Sequence, residues 1–267
     1  MKSKNIFAPA LQSYYNRLTG VAVNLMRLDQ TLVLRRLAAS RARAQALIDA
    51  GRVRVNGAVA LKASVKISDD ANITVEGDLH AFVSRGGLKL EAALAEMSIN
   101  VAGLTCLDLG ASTGGFTDVL LQNGAAKVYA VDVGHGQLHE KIRKDSRVVN
   151  LEKTHAYDLS PALVPEQVDF IVCDVSFISL KKALPHALTF AAPHAGFIAL
   201  IKPQFEVGPA GVGKGGLVRE DLARQTADNL RDWVEDLAGW RVAGLIESPI
   251  KGGDGNMEFL IGATKTS

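Results

Sequence analysis

The chain has 267 residues, 48% of them apolar, and a formal net charge of +2. That length holds one large domain and a small one, and the apolar share supports a sizeable core. A uniformly basic nucleic-acid binder is excluded, so the distribution of charge matters more than its sum. Cys106 and Cys173 both lie in apolar runs with no C-x-x-C. Neither a disulfide framework nor a metal site is expected, and buried thiols fit a reducing cytoplasm. No apolar run reaches the roughly 18 residues of a membrane span. The longest candidate, 188–201, is interrupted by Pro193, His194 and Gly196.

Residues 1–25 mix charged and aromatic residues with short apolar pieces and lack the pattern of a signal peptide. They read as a poorly ordered extension, or as an upstream start chosen in place of Met26. From Met26 to about residue 80 the chain reads as a small basic module. Leu28, Leu32, Leu34 and Leu37, then Ala44, Leu47 and Ile48, recur at helical spacing, with Ser40 as N-cap of the second helix. Arg52-Val53-Arg54-Val55 alternates like a strand and ends in Asn56-Gly57, a hairpin signal. Val65, Ile67, Ile73 and Val75 mark further short strands. Arg27, Arg35, Arg36, Arg41, Arg43, Arg52, Arg54, Lys62 and Lys66 face only Asp29 and Asp49 across 27–66. Charge so concentrated in one small unit is a phosphate-binding footprint rather than an ordinary solvated surface. The Arg-Leu-Asp opening, Ser40-Arg41 and Gly51-Arg52-Val53-Arg54-Val55-Asn56-Gly57 resemble the S4-type RNA-binding domain. That resemblance implies structured RNA as partner.

Residues 81–267 read as a doubly wound α/β domain. Ser84-Arg85-Gly86-Gly87 leads into a helix through Leu90, Leu94 and Met97. Lys89 sits in its first turn, against the helix dipole, and taken alone reads as a solvated surface lysine. Strands are expected at 104–109, 127–131, 148–151, 170–174, 197–201, 240–246 and 257–263. Helices are expected at 116–121, 137–144 and 219–237.

The stretch 108–116, Asp-Leu-Gly-Ala-Ser-Thr-Gly-Gly-Phe, organises this domain. Strand, small-residue turn and helix form the first ligand site of such a fold. A dinucleotide fingerprint wants G-x-G-x-x-G. Here the spacing is G-x-x-x-G-G, with Asp108 ahead of Gly110. Such a loop suits S-adenosylmethionine, whose ammonium an acid can meet. Candidate cofactor residues are Asp108, Gly110, Ala111, Ser112, Thr113, Gly114, Gly115 and Phe116. Asp132, closing the second strand, is placed to hold a ribose. A purely structural glycine turn is the competing interpretation of the loop taken alone.

Ligands in open parallel sheets sit outside the carboxyl ends of the strands. Asp174 and Lys202 close the fourth and fifth strands. The short loop 249–256 makes the sixth and seventh strands antiparallel neighbours, so Glu258 starts the last strand at that same rim. Lys89 could reach it from the preceding helix. Ionisable groups gathered beside a cofactor loop point to a site. Gly213-Lys214-Gly215 nearly matches a P-loop, but Gly215 stands where a magnesium-binding Ser or Thr is needed. A mobile loop beside the substrate site fits it better.

The segments 83–90, 108–116, 174–179, 201–205, 213–216 and 255–260 together resemble the TlyA family of ribosomal RNA cytidine 2′-O-methyltransferases, also labelled haemolysin A. The resemblance spans about residues 26–264. It implies a Rossmann-like methyltransferase domain, S-adenosylmethionine as cofactor, and a catalytic tetrad of Lys89, Asp174, Lys202 and Glu258. It also implies ribosomal RNA as substrate, in the large subunit, with the small subunit an open alternative. After the third strand the family commonly has Thr-Asn-x-Arg, where this chain has Thr154-His155-Ala156-Tyr157. A ribose hydroxyl is a weak nucleophile, so Lys202 is the candidate base or alkoxide stabiliser, with Asp174 and Glu258 orienting. Two rival interpretations are a membrane-active haemolysin and an inactive RNA-binding assembly factor. Neither a signal peptide nor a lytic segment supports the first, and the intact tetrad weighs against the second.

Overall fold

The computed structural model describes residues 25–35, 37–38, 41–75 and 82–266, without the side chains of residues 42, 43 and 46. The extension before Leu25, the Ser40 cap, Arg36 and the connector near residue 80 lie outside the described residues. The chain divides into two compact units, the first ending at Ala81 and the second starting at Phe82.

In the first unit, β1 (Leu25–Arg27) enters helix α1 (Leu28–Leu34), and α2 (Arg41–Asp49) packs against it. Leu28, Leu32, Ala44, Leu47 and Ile48 are buried between them, as the helical spacing dictates. Strand β2 (Val53–Val55) turns through Asn56 and Gly57, at φ 50° and 83°, into β3 (Ala58–Val59). Left-handed backbone at both central residues is what a tight hairpin of this twist requires. Strand β4 (Lys66–Ser68) pairs with β1, and β5 (Ile73–Val75) with β2.

The second unit opens with helix α3 (Gly86–Glu96). Then come β6 (Thr105–Leu109), α4 (Gly115–Gln122), β7 (Lys127–Asp132), α5 (Glu140–Arg143), β8 (Val148–Glu152) and β9 (Val168–Cys173). Helix α6 (Leu180–Leu188), β10 (Ala191–Ile201), α7 (Glu220–Glu235), β11 (Trp240–Glu247) and β12 (Phe259–Lys265) complete it. Among the described residues the seven strands form one sheet, in the order β11-β12-β10-β9-β6-β7-β8. The pairs β10–β9, β9–β6, β6–β7 and β7–β8 are parallel, and β12 runs antiparallel to both β10 and β11.

Alternation along each strand feeds two cores, because successive side chains point to opposite faces. Leu107, Ile171 and Phe197 join Leu184 of α6 and Leu230 of α7 on one face. Cys106, Val172 and Ile198 join Leu90 of α3, Leu120 of α4 and Ile142 of α5 on the other. This is the three-layer, mostly parallel α/β architecture expected from the sequence.

Three elements differ from expectation. The helix expected over 137–144 shrinks to α5, because His139 stands extended at φ −56° and ψ 141°, its ring nitrogen accepting the Lys141 N–H as the cap. Helix α6 is not among the expected elements, since Pro185 sits inside it. Strand β10 begins at Ala191, its register slipping between Ala191 and Gly196, where His194 stands at φ 65°.

Candidate active site

The glycine loop closes over the end of β7. Gly110 and Ala111 donate their N–H groups to the Val131 carbonyl at 2.9 and 3.0 Å. Gly110 stands at φ 87°, and a Cβ there would overlap the Asp174 carbonyl, so no other residue fits. Gly114, left-handed at φ 93°, is the N-cap of α4. Ser112 is exposed and Thr113 half-buried, so the loop offers backbone and short side chains to a ligand. Asp132 receives the Ser112 N–H at 2.7 Å on one oxygen and the Gly134 N–H at 2.6 Å on the other. Each oxygen keeps a lone pair for a hydroxyl. Val133, 60% exposed, follows it as an apolar neighbour.

Asp108 and Phe116 are placed differently from the exposed residues of the loop. Phe116 is buried in the core, so its side chain does not face a ligand. Asp108 is fully buried at the end of β6. Thr117 Oγ1 donates to its Oδ2 at 2.6 Å, while Oδ1 has no partner among the described residues. Burial, opposed by the Thr117 hydrogen bond and reinforced by the charge of Asp174, pushes its carboxyl up to about 7. A buried acceptor left open is unusual in a folded protein and fits a position completed by a cationic ligand. Glu152, unnoticed in the sequence, closes β8; backbone N–H groups from Gly136, Leu138 and Gln137 hold its carboxyl down to about 2.

The rim beside this loop carries two lysine–carboxylate pairs. Lys89 is not a surface lysine: only 8% exposed, it bonds to Glu258, itself 3% exposed. Gly252 leaves room for that carboxylate, since a Cβ there would overlap Glu258 Oε1. Lys202 Nζ lies 2.6 Å from Asp174 Oδ1 as an ion pair. It donates a hydrogen bond to Ser176 Oγ at 2.8 Å. The sheet explains the convergence. Ile201 is the register partner of Phe259, so Lys202 and Glu258 follow and precede adjacent positions. Leu109 is the partner of Cys173, which puts Asp174 beside the glycine loop.

Around the pairs, Phe177 is 90% exposed at φ 64°, with its ring 4.9 Å from that of Phe205. A non-glycine residue held left-handed beside a candidate site is a mark of function rather than of folding. The P-loop-like stretch makes a single turn, Lys214–Gly216. It is tied down by buried Asn256, which accepts the Val218 N–H and donates to the Gly216 carbonyl, both at 2.9 Å. Tyr157 donates its hydroxyl to the Lys182 carbonyl at 2.9 Å. Ser176, Phe177 and Asn256 lie inside segments 174–179 and 255–260, which carry the family resemblance, but neither residue type nor spacing there assigns them a role.

In the first unit the basic residues divide. Arg27 and Arg41 both bond to buried Asp29, at 2.9–3.0 Å, and hold its carboxyl well below the usual carboxylate range. Arg35 donates to the carbonyls of Ala71 and Asp69 at 2.6 and 2.5 Å. These three brace the unit itself. Arg52, Lys62 and Lys66 are exposed and Arg54 is half-buried. The side chain of Arg43 lies outside the described residues. Among the described residues no acidic, histidine or cysteine cluster could hold a metal, and no helix is long and apolar enough to cross a membrane.

Comparison with known proteins gives a consistent picture. Residues 82–265 match the FtsJ-like methyltransferase family and residues 26–73 the S4 domain. The 16S/23S rRNA (cytidine-2′-O)-methyltransferase TlyA of Mycobacterium tuberculosis is 46% identical over 88% of this chain and 88% of its own. Hemolysin A of Brachyspira hyodysenteriae is 44% identical over 88% of this chain and 98% of its own. A solved structure named as a hemolysin from Streptococcus thermophilus is 40% identical, with a TM-score of 0.72, covering 92% of this chain and 90% of that one.

Proposed function

Because the chain belongs to the FtsJ-like methyltransferase family, in its two-domain TlyA branch, we propose that it methylates the 2′-hydroxyl of a cytidine in ribosomal RNA, using S-adenosylmethionine. The observation that carries this reading is the two lysine–carboxylate pairs, Lys89–Glu258 and Lys202–Asp174, at the carboxyl rim beside the glycine loop.

The residues present fit the cofactor. The open oxygen of Asp108 suits its ammonium, the Asp132 carboxylate its ribose, and the loop 110–115 a close backbone approach. When bound, the cofactor supplies a methyl group already activated on a sulfonium. What remains for the chain is to align a weak nucleophile and handle one proton. Alignment alone supplies roughly 7–11 kcal/mol of such a barrier. Lys202, held between Asp174 and Ser176, acts at the 2′-oxygen, taking its proton or stabilising the oxyanion as it develops. Lys89, matched by Glu258 in a buried pair, fixes the other side of the pocket. Exposed Phe177 offers a stacking face for an unstacked base. Arg52, Arg54, Lys62 and Lys66 of the first unit hold phosphates, and the whole operates in the cytoplasm where ribosomes are.

The test is direct. Purified protein, labelled S-adenosylmethionine and ribosomal subunits are incubated, and label is followed into RNA. Label in RNA that depends on Lys202 supports the reading. Tight RNA binding with no transfer would turn it into an assembly factor.

A further inference from the structure

Between β9 and α6 the chain runs through residues 174–179, and after β10 it runs through residues 202–206. The first strip is irregular, the second holds a 3₁₀ turn at Pro203–Phe205, and the two are laced together along their length. Lys202 meets Asp174 and Ser176, Phe205 meets Phe177, and Glu206 meets Ser179 and Leu180. Glu206 closes the far end, with Ser179 Oγ donating to Oε2 at 2.6 Å and the Leu180 N–H to Oε1 at 2.8 Å. Ser179 already caps α6, its Oγ accepting the Lys181 N–H at 3.2 Å. The helix start therefore has a local cap, and what Glu206 adds is a fixed spacing between two strips far apart in sequence. Between these ties Phe177 is held left-handed at φ 64°, a conformation that persists only where the surroundings over-determine it. Burial pushes the Glu206 carboxyl up, so this acid is kept half out of water at a cost that its two hydrogen bonds offset.

We propose that Glu206 is a positioning residue: it sets the spacing between strips 174–179 and 202–206 and so holds the Lys202 ammonium between Asp174 and Ser176. The kinetic consequence rests on the methyl-transfer reading above; the structural consequence does not. Two readouts therefore test it in the full chain. The first is the side-chain ammonium resonance of Lys202 in ¹⁵N-lysine-labelled protein, assigned by its loss in Lys202→Arg. Glu206→Ala should shift or broaden it. Glu206→Gln should leave it near its wild-type position, because the amide can accept from Leu180 and donate to Ser179. Ser179→Ala, which removes one of the two bonds, should have a smaller effect of the same sign and serves if Glu206→Ala does not fold. The second is a double-mutant cycle on the single-turnover rate, with cofactor and RNA saturating. Glu206→Ala should slow transfer by about 10- to 100-fold, with the affinities for both ligands unchanged. On a Lys202→Ala background the further loss should be under about twofold, since an effect exerted through Lys202 vanishes with it. An unmoved Lys202 resonance in Glu206→Ala, or fully additive losses in the cycle, overturns the proposal. If the wild-type chain transfers no methyl group, the functional reading fails and the resonance alone decides the role of Glu206.

Discussion

At the scale of single residues, the proposed chemistry rests on Lys202. Lys202→Ala should lower the single-turnover rate by about 10²-fold or more while leaving cofactor and RNA binding nearly unchanged. Lys202→Arg distinguishes its two roles, because a guanidinium stays protonated and cannot serve as a base. A rescued rate would leave it a purely electrostatic part. Asp108 should make cofactor binding depend on pH. Its carboxyl is raised to about 7, so the group is neutral below that and anionic above it. An ammonium prefers the anion, so affinity should rise as pH climbs through 7 and fall again above about 8, where an α-amino group loses its own proton. Folding responds with the opposite sign. Between the usual carboxylate range near 4 and about 7, the folded chain binds a proton that the unfolded chain has released, so stability falls as pH rises across that window. Asp108→Asn should flatten the rise in affinity and the fall in stability, as calorimetry and thermal melts would read. Phe177→Ala should weaken productive RNA engagement by about 1–3 kcal/mol, the usual worth of one base–aromatic stack. With its ring 90% exposed, little stability should be lost. That Asp174, Lys202 and Glu258 share a rim could be read from the sequence because strand ends are where this fold gathers ligand groups. Their grouping with Lys89 as a tetrad came only from the family resemblance. The environment of Lys89 could not be read, since burial beside Glu258 depends on a partner 169 residues away.

At the scale of elements, alternation and glycine placement made the sheet legible. The strands at 127–132, 148–152 and 240–247 fall within one or two residues of where their apolar runs lie. Helix α6 was hidden because Pro185 breaks its pattern, although Ser179 at its N-cap is an ordinary start signal. The α5 region misled in the other direction. Its spacing is helical, yet His139 is held extended with its N–H on the Thr113 carbonyl, and tertiary structure overrides propensity. In the first unit, the element-level device is Asp29, which joins the start of α1 to the start of α2 through Arg27 and Arg41. Its lowered pKa contributes stability that is full above the ordinary carboxylate value and lost as pH falls below it. Asp29→Asn should therefore remove acid sensitivity from this unit and lower its protection from amide exchange at neutral pH. Unchanged protection in α1 and α2 would reduce the pairs to surface ornament.

At the scale of the whole molecule, the proposed function divides recognition, in a basic unit, from chemistry, in the methyltransferase unit. The uneven charge was visible in the sequence, but that Arg27, Arg35 and Arg41 are drawn into the unit's own structure was not, because their partners are set by the fold. Replacing Arg52, Lys62 and Lys66 together by Ala should weaken RNA binding and flatten its salt dependence, by about 0.7–0.9 in the log–log slope for each phosphate no longer neutralised. The cofactor-binding isotherm should not move. The central claim is that this rim methylates a ribose hydroxyl of cytidine. Ribosomal subunits treated with the wild-type chain and S-adenosylmethionine are digested to nucleosides and read by mass spectrometry, beside subunits treated with Lys202→Ala. The expected result is 2′-O-methylcytidine in the first sample and its near absence in the second. Methyl groups on a base, on protein or on no component of the subunits would contradict it.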